Sequence, residues 1–244
     1  MIIRLSETEL VNAQISYQIP KPLPNRYLTE RETVWNKHIR KAVKSGKNIW
    51  NGIIYTIIDW TQIDKENLFI TLSSCEYKDI VFRNNKGLTY IIRNYGIESI
   101  SKFITFDCIP VTSDGKYVFG LRGNTTNVKS GSIGLIGGTA NKDEMEITSP
   151  DDFKKFMIKE IEEETQIAVN EDNLSLFSIN QFNGKFEFLY KLVLNINSYE
   201  IDKIFKKGEF VDILCLSKQE VFNYNGKTLD AFRYSKLYIN NLNR

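Results

Sequence analysis

Lys159-Glu160-Ile161-Glu162-Glu163-Glu164-Thr165-Gln166-Ile167 sets four carboxylates among the five residues 160–164. On a helix turning about 100° per residue, Glu160, Glu163 and Glu164 share an arc of about 100°, and Glu162 faces away. Each like-charge pair at helical spacing costs roughly a few tenths of a kcal/mol. A hard divalent cation such as Mg²⁺ or Mn²⁺ prefers oxygen ligands and would remove that repulsion. A solvated acidic helix face is the alternative reading, so the flanking residues decide between the two.

Upstream, Ser149-Pro150-Asp151-Asp152 has the form of a helix start. Ser149 suits the cap, Pro150 the first helical position, and the two acids the positive helix end. Phe153, Met157, Ile158 and Ile161 then recur at helical spacing, which predicts a helix over about 150–166 with one buried and one carboxylate face. Gly134-Leu135-Ile136-Gly137-Gly138 predicts an extended segment ending in a turn. Adjacent glycines permit positive φ and close backbone approach to a ligand.

Together these residues resemble the signature of the Nudix hydrolases. Gly138 fits its leading glycine and Glu144 the acid that follows after five residues, with Asp151 the competing match for that acid. Lys159 to Ile167 fit its second half, after a loop expanded by about seven residues. Two positions depart from the pattern: Lys159 stands where the family has a bracing arginine, and Gln166 where it has a helix-ending glycine. The resemblance implies an α/β fold, a Nudix-type α/β/α sandwich with a mixed sheet. It also implies that Glu160, Glu163 and Glu164 bind Mg²⁺ or Mn²⁺ and serve catalysis. Gly137 and Gly138 would shape the supporting loop beside the substrate, and Lys159 would brace it. An acid just before the last strand often completes the metal shell in this family, and Glu209 holds that position. Either Glu160 or Glu209 would be the general base. Arg122 is placed where a phosphate-contacting cation is often found, with Lys129 a second choice in the loop Gly123–Ser132.

The rest of the second half predicts strands over Lys102–Val111, Tyr117–Leu121, Leu174–Phe182, Phe186–Leu194 and Val211–Leu216. Asp114-Gly115-Lys116 and Asn183-Gly184-Lys185 are the turns, and Ser217–Phe222 is a short helix. In the first hundred residues, Arg26 to about Lys44 predicts a helix with Trp35, Ile39 and Val43 as its stripe. Two β-rich runs follow at Asn51–Asp59 and Leu68–Leu72, then Tyr77-Lys78-Asp79 and a loop over Asn84–Gly87. This order looks like the N-terminal extension of Nudix proteins that act on UDP-sugars. The expected organisation is a smaller N-terminal α+β extension over residues 1–98 and a Nudix hydrolase domain over 99–244.

The 244 residues carry 32 basic and 30 acidic side chains, so no global field favours nucleic acid or an anionic membrane. Cys75, Cys108 and Cys215 are scattered in apolar contexts and suit reduced thiols in a cytoplasmic protein. No segment reaches the length that spans a bilayer, and none reads as a secretory signal. His38, the single histidine, sits in a polar helical stretch and suits an exposed structural role, which leaves neither a Ser-His-Asp triad nor a histidine zinc site. The function these residues imply is hydrolysis of the diphosphate bond of a nucleoside diphosphate derivative, with a nucleotide-sugar preferred and a nucleoside monophosphate released. The alternative is a catalytically weak nucleotide-binding module. The expected partner is a small-molecule nucleotide, with no nucleic acid and no membrane, and homodimerisation is open.

Overall fold

The computed structural model describes residues 2–3, 13–47, 49–62, 68–123, 131–182, 184–208 and 210–240. They form two compact units. The first comprises Met1–Phe106, Thr139–Phe153 and Phe177–Phe188; the second comprises Asp107–Gly138, Lys154–Leu176 and Leu189–Arg244. The expected mixed α/β class is found.

The first unit is built on two long antiparallel strands, Ile53–Gln62 and Leu68–Glu76, paired from Ile53 opposite Glu76 to Gln62 opposite Leu68. Gln14–Tyr17 adds a parallel strand beside Leu68–Glu76, which makes the sheet mixed. Both long strands run beyond the apolar runs visible in the sequence, because cross-strand pairing carries polar residues such as Ser73, Ser74 and Glu76 along with them. Helices Asn25–Lys44, Tyr77–Lys86 and Leu88–Tyr95 pack through Tyr27, Phe82, Ile91 and Tyr95. The Tyr27 ring meets Phe82 and Tyr95 edge-on at 4.8 and 5.2 Å, a favoured aromatic geometry.

Two local expectations change here. The loop expected over Asn84–Gly87 is the end of the Tyr77–Lys86 helix, and only Gly87, at φ +85°, breaks the chain. The Arg83 guanidinium holds Asn84 Oδ1 and the Gly184 carbonyl, so tertiary contacts outweigh the low helix propensity of the two asparagines. The buried stripe of the first helix is Tyr27, Arg31, Trp35 and Ala42, whereas Val43 is exposed. A charged residue occupies one core position of that helix, which hid the period. His38 is half-buried, stacked on Trp35 at 5.5 Å, rather than exposed.

Arg31 is in the core because Asp79 is. Their side chains are 8% and 2% exposed and meet at 2.8 Å. Asp79 also accepts from Tyr27 Oη at 3.2 Å and from the Glu76 N–H at 3.0 Å. Glu76 in turn takes Arg31 at 3.0 Å, Lys78 at 2.9 Å and Asn51 Nδ2 at 3.0 Å. The Lys78 N–H returns to Asn51 Oδ1 at 2.9 Å, and the Tyr77 N–H to the Gly52 carbonyl at 3.0 Å. Burial pushes the Asp79 carboxyl up despite the pull of Arg31, so the pair depends on its full set of donors. Asn51-Gly52 and Tyr77-Lys78-Asp79 are thus parts of one polar lock that runs from the buried Arg31–Asp79 pair out to the exposed Asn51.

In the second unit, Tyr117–Arg122 is the central strand. It pairs with Phe210–Leu216 and with the short strand Ile133–Gly134, and it meets Val111 across the Gly115 turn, where φ is +78°. The Asp114 carboxylate accepts from Ser198 Oγ at 2.7 Å and from its N–H at 2.9 Å, which ties helix Ser198–Ile204 to the turn. A C-terminal helix, Asp230–Ile239, was not visible in the sequence. It buries Phe232 edge-on against Phe119 at 4.8 Å. Among the described residues, no helix is long and apolar enough to cross a membrane. The three cysteines are free, and burial pushes each thiol up, Cys215 to about 11.

Arg31→Ala should lower the unfolding free energy by about 3–5 kcal/mol, because it leaves Asp79 charged and buried. Denaturant titration measures this. A loss below about 1 kcal/mol would show that Asp79 is satisfied without Arg31.

Candidate metal centre

The helix expected near 150–166 is observed over Pro150–Thr165. Its entry is fixed by Asp152, whose Oδ2 accepts from the N–H and hydroxyl of Ser149, both at 2.9 Å, and from the N–H of Thr148 at 3.0 Å. Phe153, Phe156, Met157 and Ile161 are all fully buried. Phe156 takes the place expected for Ile158, which is only half-buried. One helical face is thereby committed to the core, and the carboxylates are left on the other.

The Gly-Gly pair acts on those carboxylates directly. Gly137, at φ +139°, donates its N–H to Glu164 Oε2 at 2.6 Å. A Cβ on Gly138 would collide with the Glu160 carboxylate. Each glycine therefore admits one acid of the helix. The sequence anticipated close approach to a ligand, and the structure shows close approach to the acids themselves. Glu164 is 8% exposed, and a buried carboxylate is tolerated only with donors such as this N–H. Glu160 is half-buried and Glu163 exposed, and they offer carboxylate oxygens within 4.8 Å of one another.

Lys159 Nζ lies 3.6 Å from Glu163 Oε1, one turn further along the helix. Glu162 is on the far side, as expected, and closes the turn after the helix: its Oε1 accepts the Val169 N–H at 3.1 Å. Gln166 holds the left-handed position at φ +61° that the missing glycine would take. Its side-chain amide donates to the carbonyls of Glu162 at 3.2 Å and Glu163 at 3.4 Å. The Glu162 carbonyl also accepts the Gln166 N–H at 2.9 Å, so the side-chain amide reinforces the helix end and offsets the roughly 1–2 kcal/mol cost of a left-handed non-glycine residue.

Arg122 ends the central strand, with its guanidinium 5.5 Å from the Phe210 ring centroid. Glu209 and Lys129 lie outside the described residues. The expanded loop ahead of the helix is pinned in the first unit. Asp143 Oδ2 accepts the Ile53 N–H at 3.0 Å, Lys142 N–H donates to the Ile53 carbonyl at 2.8 Å, and Ile147 N–H donates to Tyr55 Oη at 3.0 Å. Glu144 accepts from Asn141 Nδ2 at 2.5 Å within this loop. Nothing in the loop's own sequence reveals these anchors, because they lie about ninety residues away on strand Ile53–Gln62.

A scan of known protein families finds no matching model for the chain. A search of curated proteins finds no match either. Among solved structures, the chain is similar to the MutT protein of Methanosarcina mazei Go1, at 16% identity and a TM-score of 0.43, over 59% of this chain and 96% of that one. It is similar to the Nudix domain of Shewanella oneidensis NrtR, solved with ADP ribose, at 13% identity and a TM-score of 0.44, over 64% of this chain and 99% of that one. A MutT/Nudix family protein of Listeria innocua gives 16% identity and a TM-score of 0.42, over 58% and 94%.

Gln166→Gly should be tolerated or raise stability by up to about 1 kcal/mol, and Gln166→Val should lower it by more than that, because a branched Cβ fits the left-handed region worst. Thermal unfolding of both variants checks this. Equal midpoints would mean that the helix end relaxes to another conformation. These three solved structures carry the names MutT or Nudix.

Proposed function

We propose that this chain is a metal-dependent diphosphatase of the Nudix type. It would hydrolyse the diphosphate bond of a nucleoside diphosphate derivative and release a nucleoside monophosphate. The observation that carries the proposal is the Glu160–Glu163 pair on a helix whose acids are admitted by Gly137 and Gly138. Carboxylate oxygens within 4.8 Å of one another can close onto one hard cation by small side-chain rotations, since Mg²⁺ holds its oxygens at about 2.0–2.1 Å. Glu160 and Glu163 would hold the cation, with Glu164 as the third acid of the set.

A bound cation supplies positive charge for the phosphoryl oxygens as negative charge builds on them. The attacking water must give up a proton, and Glu160 and Glu209 are the carboxylates proposed to take it. Arg122, whose guanidinium lies 5.5 Å from the Phe210 ring centroid, is the cation proposed to contact a phosphate. Lys159 is proposed to hold Glu163 in place and to add positive charge at the substrate.

A nucleotide-sugar is the preferred substrate class, on the strength of the N-terminal likeness. The division at 98/99 into an extension and a hydrolase domain, a cytoplasmic setting and an open choice between monomer and homodimer belong to the same reading. The Lys159–Glu163 ion pair favours a second one. A lysine that already neutralises a metal-facing acid suits a module that binds nucleotide with little turnover.

Incubation with UDP-sugars, ADP-ribose, dinucleotides and nucleoside triphosphates, with Mg²⁺ or Mn²⁺, separates the two. Nucleoside monophosphate should appear only with metal, and Glu163→Gln should lower its rate roughly a hundredfold or more while the fold persists. An unchanged rate in that variant would remove the mechanism. Retained nucleotide binding with no turnover of any compound would favour the binding module.

A further inference from the structure

In the first unit, Thr56 of strand Ile53–Gln62 sits opposite Phe103, and the Ile57 N–H donates to the Lys102 carbonyl at 2.9 Å. The register against strand Leu68–Glu76 then shifts between Ile57 and Asp59. Such a bulge re-aims side chains and is common beside binding sites. Here it borders a half-open cavity of about 300 Å³ that Asp59, Trp60, Lys102, Gln181 and Phe186 help to line.

The lining has a consistent chemistry. The Trp60 and Phe186 rings are stacked at 6.1 Å with 21° between their planes. Phe186 is 3% exposed and backs the half-buried indole. Asp59 Oδ1 accepts the Trp60 N–H at 2.8 Å, which ties the turn of the strand to its own carboxylate. Lys102 and Gln181 also line the cavity, which adds a cationic and an amide side chain to its chemistry. A flat ring suits Trp60 and an attached anion suits Lys102, while one oxygen of the Asp59 carboxylate is taken up by the Trp60 N–H. The volume lies at the lower end for ligand sites and suits one nucleotide.

We propose that this cavity is a nucleoside monophosphate site, with the base stacked on Trp60, its edge toward Gln181 and its phosphate on Lys102. The site is assigned from its lining alone and does not depend on metal or on hydrolysis. Base–aromatic stacking is tolerant of base identity, so Gln181 is the group that would discriminate among bases.

The test is isothermal titration of the full chain with UMP, CMP, AMP and GMP in EDTA, so that no metal contributes. At least one should bind saturably with one site. Trp60→Leu should weaken that binding about tenfold, whereas Trp60→Phe, which keeps a ring, should retain most of it. Lys102→Glu should weaken the monophosphate about tenfold or more and leave the matching nucleoside unchanged. Glu163→Gln should leave all these affinities as they are. The proposal is overturned if no monophosphate binds, if binding survives Trp60→Leu in a folded protein, or if Lys102→Glu weakens nucleoside and nucleotide alike. Any of these alongside intact metal-dependent cleavage would remove this site and leave the proposed hydrolysis standing.

Discussion

The contact between a Gly-Gly backbone and a row of helix carboxylates is the constraint from which the proposed chemistry follows. Acids on one helical face repel, and a buried carboxylate such as Glu164 is costly unless a donor meets it. Gly137 provides that donor at 2.6 Å, and Gly138 leaves the room that the Glu160 carboxylate fills. A side chain at either position disturbs the contact: Gly137 sits at φ +139°, and a Cβ at Gly138 would push the Glu160 carboxylate aside. The buried face of Phe156, Met157 and Ile161 fixes the rotation of the helix, so its acids have little freedom to turn away.

Around that contact, two residues that depart from the Nudix signature this segment resembles have local roles of their own. Gln166 keeps the left-handed helix end and caps two carbonyls with its own amide. Lys159 supplies a cation at 3.6 Å from Glu163, without the two-pronged geometry of arginine. The expanded loop is held by Ile53 and Tyr55 of a strand far away in sequence. The N-terminal region therefore supports the segment that leads into the helix. Its own stability rests on the Arg31–Asp79 pair and the acids and amides around it.

Much of this was legible in the sequence wherever local signals agree. Ser149-Pro150 and the 3.6-residue period gave the carboxylate helix its true limits to within a residue. Strand Leu174–Phe182 was read to the residue, because an apolar run and a turn bound it. What stayed hidden depends on distant partners. Helix Tyr77–Lys86 runs through two asparagines because Arg83 is tied to Gly184. The stripe of helix Asn25–Lys44 contains a buried arginine, which no hydrophobic period reveals. At the candidate site, the residue types were readable and the reason for the two glycines was not. Side-chain length and helix rotation decide that Gly137 serves Glu164 and Gly138 serves Glu160.

If the glycine pair aims these carboxylates at one divalent cation, then filling the space at Gly138 must weaken metal binding. Mn²⁺ can be titrated into the wild-type chain and into Gly138→Ala, with binding read by the loss of the free-ion electron paramagnetic resonance signal. Saturable binding is expected in the wild type, and at least about a tenfold loss in a variant that remains folded, since the added Cβ displaces Glu160. Equal Mn²⁺ affinity in the two proteins, or no binding in the wild type, would contradict it.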